Sequence, residues 1–142
     1  MNKTLKFCEP PNGRVILDPH ISFLKQLVLE GGGDYWNAGS GESTTVYSHD
    51  GKQSRLTLML HEPLGFYLEH VDVDGQHFSS LGPPDAKGRA KVYVCGEPMF
   101  IPVSCFVPRE LAWAALQSFC KTGGRSKSIN WIIRSTLDWR DT

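Results

Sequence analysis

The chain has 142 residues, of which 40% are hydrophobic and 21% charged, enough apolar content for one domain core without metal or disulfide staples. Lysine plus arginine and aspartate plus glutamate each number 15, so the cationic excess of a generic nucleic-acid or anionic-membrane binder is absent. Met1–Lys6 is polar, and no run approaches the ~20 apolar residues of a membrane span. The expectation is a cytoplasmic protein with a single domain over 1–142 and its core at about 12–134.

Arg14–Leu17 is a short apolar run stopped by Asp18-Pro19, an N-cap residue followed by a proline suited to a first helical position. Ile21, Leu24, Leu27 and Val28 then recur at spacings of three and four until Gly31-Gly32-Gly33, which predicts a helix over 19–30. From Asp34 to Val103 short alternating runs replace the helical period. Strands are expected at 34–37, 44–49, 55–61, 65–71, 77–81 and 91–95, with a weaker one at 99–103. Asp50-Gly51 and Asp74-Gly75 supply the positive φ angles of tight hairpin turns, and the proline- and glycine-rich 82–88 reads as a surface loop. Val107-Pro108 opens a second helix with Ala112, Ala115, Leu116 and Phe119 facing inward, closed by Lys121-Thr122-Gly123-Gly124. Ser128–Arg134 is apolar enough for a final strand. The predicted fold is α+β: an antiparallel β-sheet meander with two helices packed on one face.

Residues two apart in a strand share a face. Leu56, Leu58 and Leu60, then Phe66 and Leu68, then Val92 and Val94, and Val46 define the expected core side. Tyr47, Thr57, Met59, His61, Tyr67, Glu69, Lys91 and Tyr93 fall on the opposite side. Two helices cover only one face, so that opposite face is expected to be open. Tyrosine and methionine there suit a protein interface, although tyrosine is also simply a good strand residue. Asp50, Asp72 and Asp74 fall at turn tips, where turn chemistry alone explains an Asp-Gly step.

Cys8, Cys95, Cys105 and Cys120 form no C-x-x-C pair, and without an export signal they read as free, mostly buried thiols. His20, His49, His61, His70 and His77 make no zinc spacing with them. His70 and His77 flank Val-Asp-Val-Asp-Gly, but the spaced acids and closing glutamate of a calcium loop are missing. The nucleophile elbow, phosphate loop and H-E-x-x-H patterns are all absent, and Gly31-Gly32-Gly33 follows a helix rather than preceding one. No catalytic residue, metal or cofactor is expected.

The ordered set Gly33-Asp34-Tyr35-Trp36, Arg55–Leu60, Phe66-Tyr67-Leu68-Glu69-His70, Val103–Pro108, Leu116–Gly123 and Ser128-Ile129-Asn130-Trp131 resembles the first-numbered immunity-protein family of bacterial polymorphic toxin systems. The likeness runs from about Gly31 to Trp131. Trp113 departs from it, standing where a small residue is usual, as does the extension 132–142. The resemblance implies an α+β fold, a cytoplasmic location, and a non-enzymatic protein that binds a cognate toxin domain, often a nucleic-acid deaminase or nuclease, and occludes its active site. A monomer in a one-to-one complex is expected, contacting neither membrane nor nucleic acid. The candidate contact residues are Tyr47, Thr57, Met59, Tyr67, Glu69 and Tyr93, with Asp50, Asp72 and Asp74 as supporting acids. The alternative is a secretion chaperone or adaptor that holds an effector without inhibiting it.

Overall fold

A computed structural model describes residues 3–9, 14–36, 41–94 and 96–137. The chain begins with β1 (Lys3–Cys8) and β2 (Val15–Leu17), then helix α1 (Ile21–Glu30) and the single turn α2 (Gly33–Trp36). Strands β3 (Glu42–His49), β4 (Lys52–His61), β5 (Gly65–Val71) and β6 (His77–Leu81) run back and forth. A separate hairpin of β7 (Arg89–Val94) and β8 (Glu97–Pro102) follows, then the short β9 (Phe106–Val107), helix α3 (Arg109–Thr122) and β10 (Asn130–Ile133). The main sheet is ordered β10-β6-β5-β4-β3-β1-β2, with β9 also paired to β5. Every strand pairing among the described residues is antiparallel. The architecture is the expected α+β arrangement.

The inner face of the sheet carries the main core. Leu56, Leu58 and Leu60 of β4 and Phe66 and Leu68 of β5 are at most 1% exposed, and meet Leu24 and Val28 of α1 and Ala112, Ala115, Leu116 and Phe119 of α3. Burying each such leucine contributes about 2 kcal/mol. Trp113 packs against the edge of the same cluster. Helix α3 ends as its sequence demands: Gly123 adopts φ 74° and its N–H bonds to Phe119 O at 2.7 Å. A Cβ at Gly123 would meet Tyr47 Cδ1 at 2.5 Å and Ser54 Oγ at 2.8 Å, so both the backbone and the space require glycine.

Several expectations are corrected. Residues 34–36 form the turn α2 instead of a strand, with the Tyr35 and Trp36 amides bonded to Gly32 O; Asn37 lies outside the described residues. The reason is Trp36, which is fully buried, packs edge-on to Phe66 at 4.9 Å, and donates from its indole to Leu27 O. Helix α1 is capped by His20, whose Nδ1 accepts from Ser22 N–H. Asp18 instead takes φ 45° and accepts from the Leu5 amide, tying β1 to the turn before α1. Strand β1, with Leu5 and Phe7 buried, adds a sheet member that sequence reading omitted.

The faces of β3 are exchanged relative to expectation. Thr45 pairs with Leu56 and Tyr47 with Ser54, so Tyr47 faces the helices and packs against Phe119 at 6.1 Å, while Val46 lies on the outer side. The outer face is not fully open either. Hairpin β7–β8 lies over one end of it, where Ala90, Val92 and Ile101 enclose Met59, Tyr67 and Phe106 in a second core. Tyr67 is 0% exposed and Met59 3%, so neither offers direct contact to a partner. Cys95, expected as a buried thiol, lies outside the described residues, as does the segment 138–142.

Leu58→Ala is expected to lower unfolding free energy by about 3 kcal/mol, the usual cost of a leucine-sized cavity in a core that cannot collapse, read from the urea midpoint. A loss below about 1 kcal/mol would show the inner core to be less tightly packed than described.

Candidate functional site

Three turns meet at one end of the sheet. The β3–β4 turn is built by Asp50 (φ 53°) and Gly51 (φ 78°), the paired left-handed angles of a tight hairpin. In the β5–β6 turn Asp72 Oδ1 accepts from the amides of Asp74 (2.9 Å) and Gln76 (3.0 Å). The Gln76 amide bond foremost, with the Asp74 amide and the Arg125 charge, holds the Asp72 carboxyl below the usual range. The third element is the segment after α3, Gly123 to Arg125. Strand lengths force this meeting, since β4 begins where β5 ends, Arg55 lying opposite Val71.

Gly123 O accepts from Ser54 Oγ at 2.7 Å and lies 2.9 Å from His70 Nε2. Because the acceptor is a carbonyl, His70 carries its proton on Nε2. The ring is 1% exposed among Phe78, Phe119 and Trp131, and its Nδ1 has no hydrogen-bond partner among the described residues. Burial is the main force pushing its pKa below the ordinary 6.5, reinforced by Arg125 and opposed by the Gly123 bond and Asp72. Arg125 lies over Phe78, its Cζ 3.6 Å from the ring centre, and its Nη1 4.0 Å from Asp72 Oδ2. Together these turns enclose a surface cleft of about 390 Å³, walled by Tyr47, His49, Lys52, His70, Asp72 and Arg125.

The structure divides the residues singled out in the sequence. Tyr47, Asp50, Asp72 and Asp74 gather at this end, Tyr47 and Asp72 as cleft walls. Thr57 and Glu69 remain half-buried on the outer face, Thr57 bonded to Thr44 at 3.0 Å. Tyr67 is spent internally, its hydroxyl lying 2.9 Å from Glu69 Oε1 and 2.6 Å from Ser79 Oγ, with Arg134 Nε donating to the same Glu69 oxygen at 2.6 Å. Burial raises the Tyr67 phenol far above its usual range, so it stays protonated. Tyr93 sits half-buried on the covering hairpin beside Lys91, not on the main sheet. His49, Lys52, His70 and Arg125 were not singled out by sequence as parts of a site. The two Asp-Gly turns and the Gly-Gly after α3 mark the chain reversals that bring them together.

The two buried cysteines described lie outside the cleft lining. Burial pushes the Cys105 and Cys120 thiols up to about 11, which keeps them protonated near neutral pH. No group of three or more metal-binding side chains occurs among the described residues, nor does any described helix have the length and apolar character to cross a membrane. What the arrangement offers is recognition by fixed charges around a walled cleft.

Because the folded pKa of His70 lies below its unfolded one, the unfolded chain binds the extra proton. Stability from this group is therefore complete above about pH 6.5 and declines as pH falls below it. Wild type should lose more unfolding free energy than His70→Gln between pH 7.5 and 5.5, measured by urea denaturation. Parallel losses would show that His70 is not held neutral.

No curated protein matches the chain. The sequence profile of one family does match, over residues 22–132, which takes in α1 but for its first residue, α3 and all strands between them as well as most of β10. The match includes each turn that walls the cleft, and its description is that of an immunity protein. The chain belongs to the Immunity protein Imm1 family.

Proposed function

We propose that this protein neutralises a cognate toxin, a nucleic-acid deaminase or nuclease, by binding it one-to-one in the cytoplasm and covering its active site, with no chemistry of its own. Membership of an immunity family carries the reading. Its placement on the molecule is supported by the convergence of exposed charge at one end of the sheet, where Asp50 and Asp74 stand on turn tips around the cleft. An enzyme that acts on nucleic acid presents a cationic groove to the phosphate backbone. Acids held on rigid hairpin turns complement such a groove, steer the encounter, and lose little entropy on docking.

This moves the contact from the outer sheet face to the sheet's end. Met59 and Tyr67 then act through the fold, by fixing the second core, and Tyr93 by fixing the hairpin over it. Replacing Tyr67 by phenylalanine leaves Ser79 and Glu69 without their shared hydroxyl, and should cost about 1 kcal/mol of stability while leaving toxin affinity unchanged.

The test is to co-express the chain with the product of the adjacent reading frame. Stable co-purification together with survival of otherwise poisoned cells is the expected result. The paired change Asp50→Asn with Asp74→Asn should slow association by about three- to tenfold at low salt, with little change in dissociation. A co-purifying partner that is not toxic would overturn neutralisation in favour of an adaptor role.

A further inference from the structure

We infer that the cleft at the end of α3 is a socket for a single carboxylate, an aspartate or glutamate side chain presented by the cognate toxin. The inference rests on the toxin-binding reading and assigns the chemistry of one contact within it.

The charge balance of the walls points to an anion. Lys52 and Arg125 both line the cleft, with His49 beside them, and Asp72 is the one carboxylate lining it. Asp72 is already committed, its Oδ1 to the two turn amides. Lys52 has no acidic partner among the described residues, and Arg125 meets Asp72 only at 4.0 Å, beyond hydrogen-bond reach. Arg125 is nonetheless held in place by stacking on Phe78. A guanidinium fixed in this way keeps its fork of donors available at reduced entropic cost, the geometry that suits a carboxylate.

The negative end of the α3 dipole is partly offset here, because two of its last carbonyls and that of the cap residue are occupied. Cys120 O accepts from Lys3 Nζ at 3.0 Å, Phe119 O from the Gly123 amide, and Gly123 O from Ser54 and His70. The opposing charge at the C-terminal end of a helix resides in its unpaired carbonyls, and these bonds reduce it at Phe119, Cys120 and the Gly123 cap.

A nucleic-acid phosphate shares this chemistry, but it arrives with neighbouring phosphates. A polyanion laid across the cleft would pass Asp50 and Asp74 on the flanking turns, and like charges there oppose it. One acidic side chain brings a single charge to the two cations and lets the surrounding acids face basic groups of the toxin. A cationic socket within an acidic rim thus also sets register, since a displaced partner would align like charges.

The experiment measures affinity of the purified full-length chain for the adjacent-gene toxin at 50 and 300 mM salt. Lys52→Met and Arg125→Gln should each weaken binding by ~10-fold, Lys52→Glu by ~100-fold, and Lys52→Arg by little, the scale of a desolvated charge pair. Lys52 is exposed at the first position of β4, so its variants should keep the wild-type unfolding midpoint. Exchanging the seated toxin acid for lysine should restore binding to Lys52→Glu. Affinities within twofold of wild type for both Lys52→Glu and Arg125→Gln would overturn the socket while leaving toxin binding intact. Failure of the wild-type chain to bind would overturn both. A single-stranded oligonucleotide that binds wild type and not Lys52→Glu would reassign the cleft to phosphate and overturn the proposal.

Discussion

One carbonyl joins the two halves of this fold. Gly123 O, just past the end of α3, receives Ser54 from β4 and His70 from β5, so the helix terminus is bonded to the two central strands of the sheet. That approach requires a residue without a side chain and with a left-handed backbone, and it draws Tyr47 against Phe119 on the same side. It also removes the carbonyl of a buried helix end from the set of unmet polar groups, whose burial without a partner costs free energy on the scale of a lost hydrogen bond. The cleft exists because the chain must leave this junction through Gly124 and Arg125 between two hairpin turns.

The sheet is covered unequally, and this decides where a partner can reach it. On the inner side α1, α2 and α3 bury β4 and β5 along their length. On the outer side the β7–β8 hairpin encloses only the end bearing Met59, Tyr67 and Phe106. The Glu69, Arg134 and Tyr67 network sits at the margin of that cover and ties the segment after β10 to β5. The turns at the other end are left exposed, with their charges held by backbone geometry.

Some of this was legible in the sequence because the signal was local. Helix α3 shows its inward stripe at Ala112, Ala115, Leu116 and Phe119 and its glycine cap, and β4 and β5 show their inner faces through alternating leucines and Phe66. The ordered motifs from Gly33 to Trp131 also pointed to the family that the chain joins. Strand β3 was read with its faces exchanged because its inner positions, Ser43 and Thr45, are polar though fully buried, which leaves Val46 as the misleading apolar cue. The Asp34–Trp36 segment looked like a strand because a single helical turn has no period to detect; the position of Trp36 is set by Phe66 and Leu27, distant in sequence. Likewise no alternation reveals that a later hairpin will fold over Met59 and Tyr67. The cleft was illegible for the same reason: Lys52 and His70 lie on two strands, Asp72 in a turn and Arg125 after α3, and only the fold makes them neighbours.

The most direct measurement is amide hydrogen exchange on the chain alone and bound to the adjacent-gene toxin. The account predicts that binding slows exchange at the turns 49–52 and 72–76 and in the segment 122–126, with little change on the β7–β8 hairpin. Protection confined to that hairpin or to the β2 edge, with the three turns unaffected, would contradict the placement of the toxin at the end of the sheet.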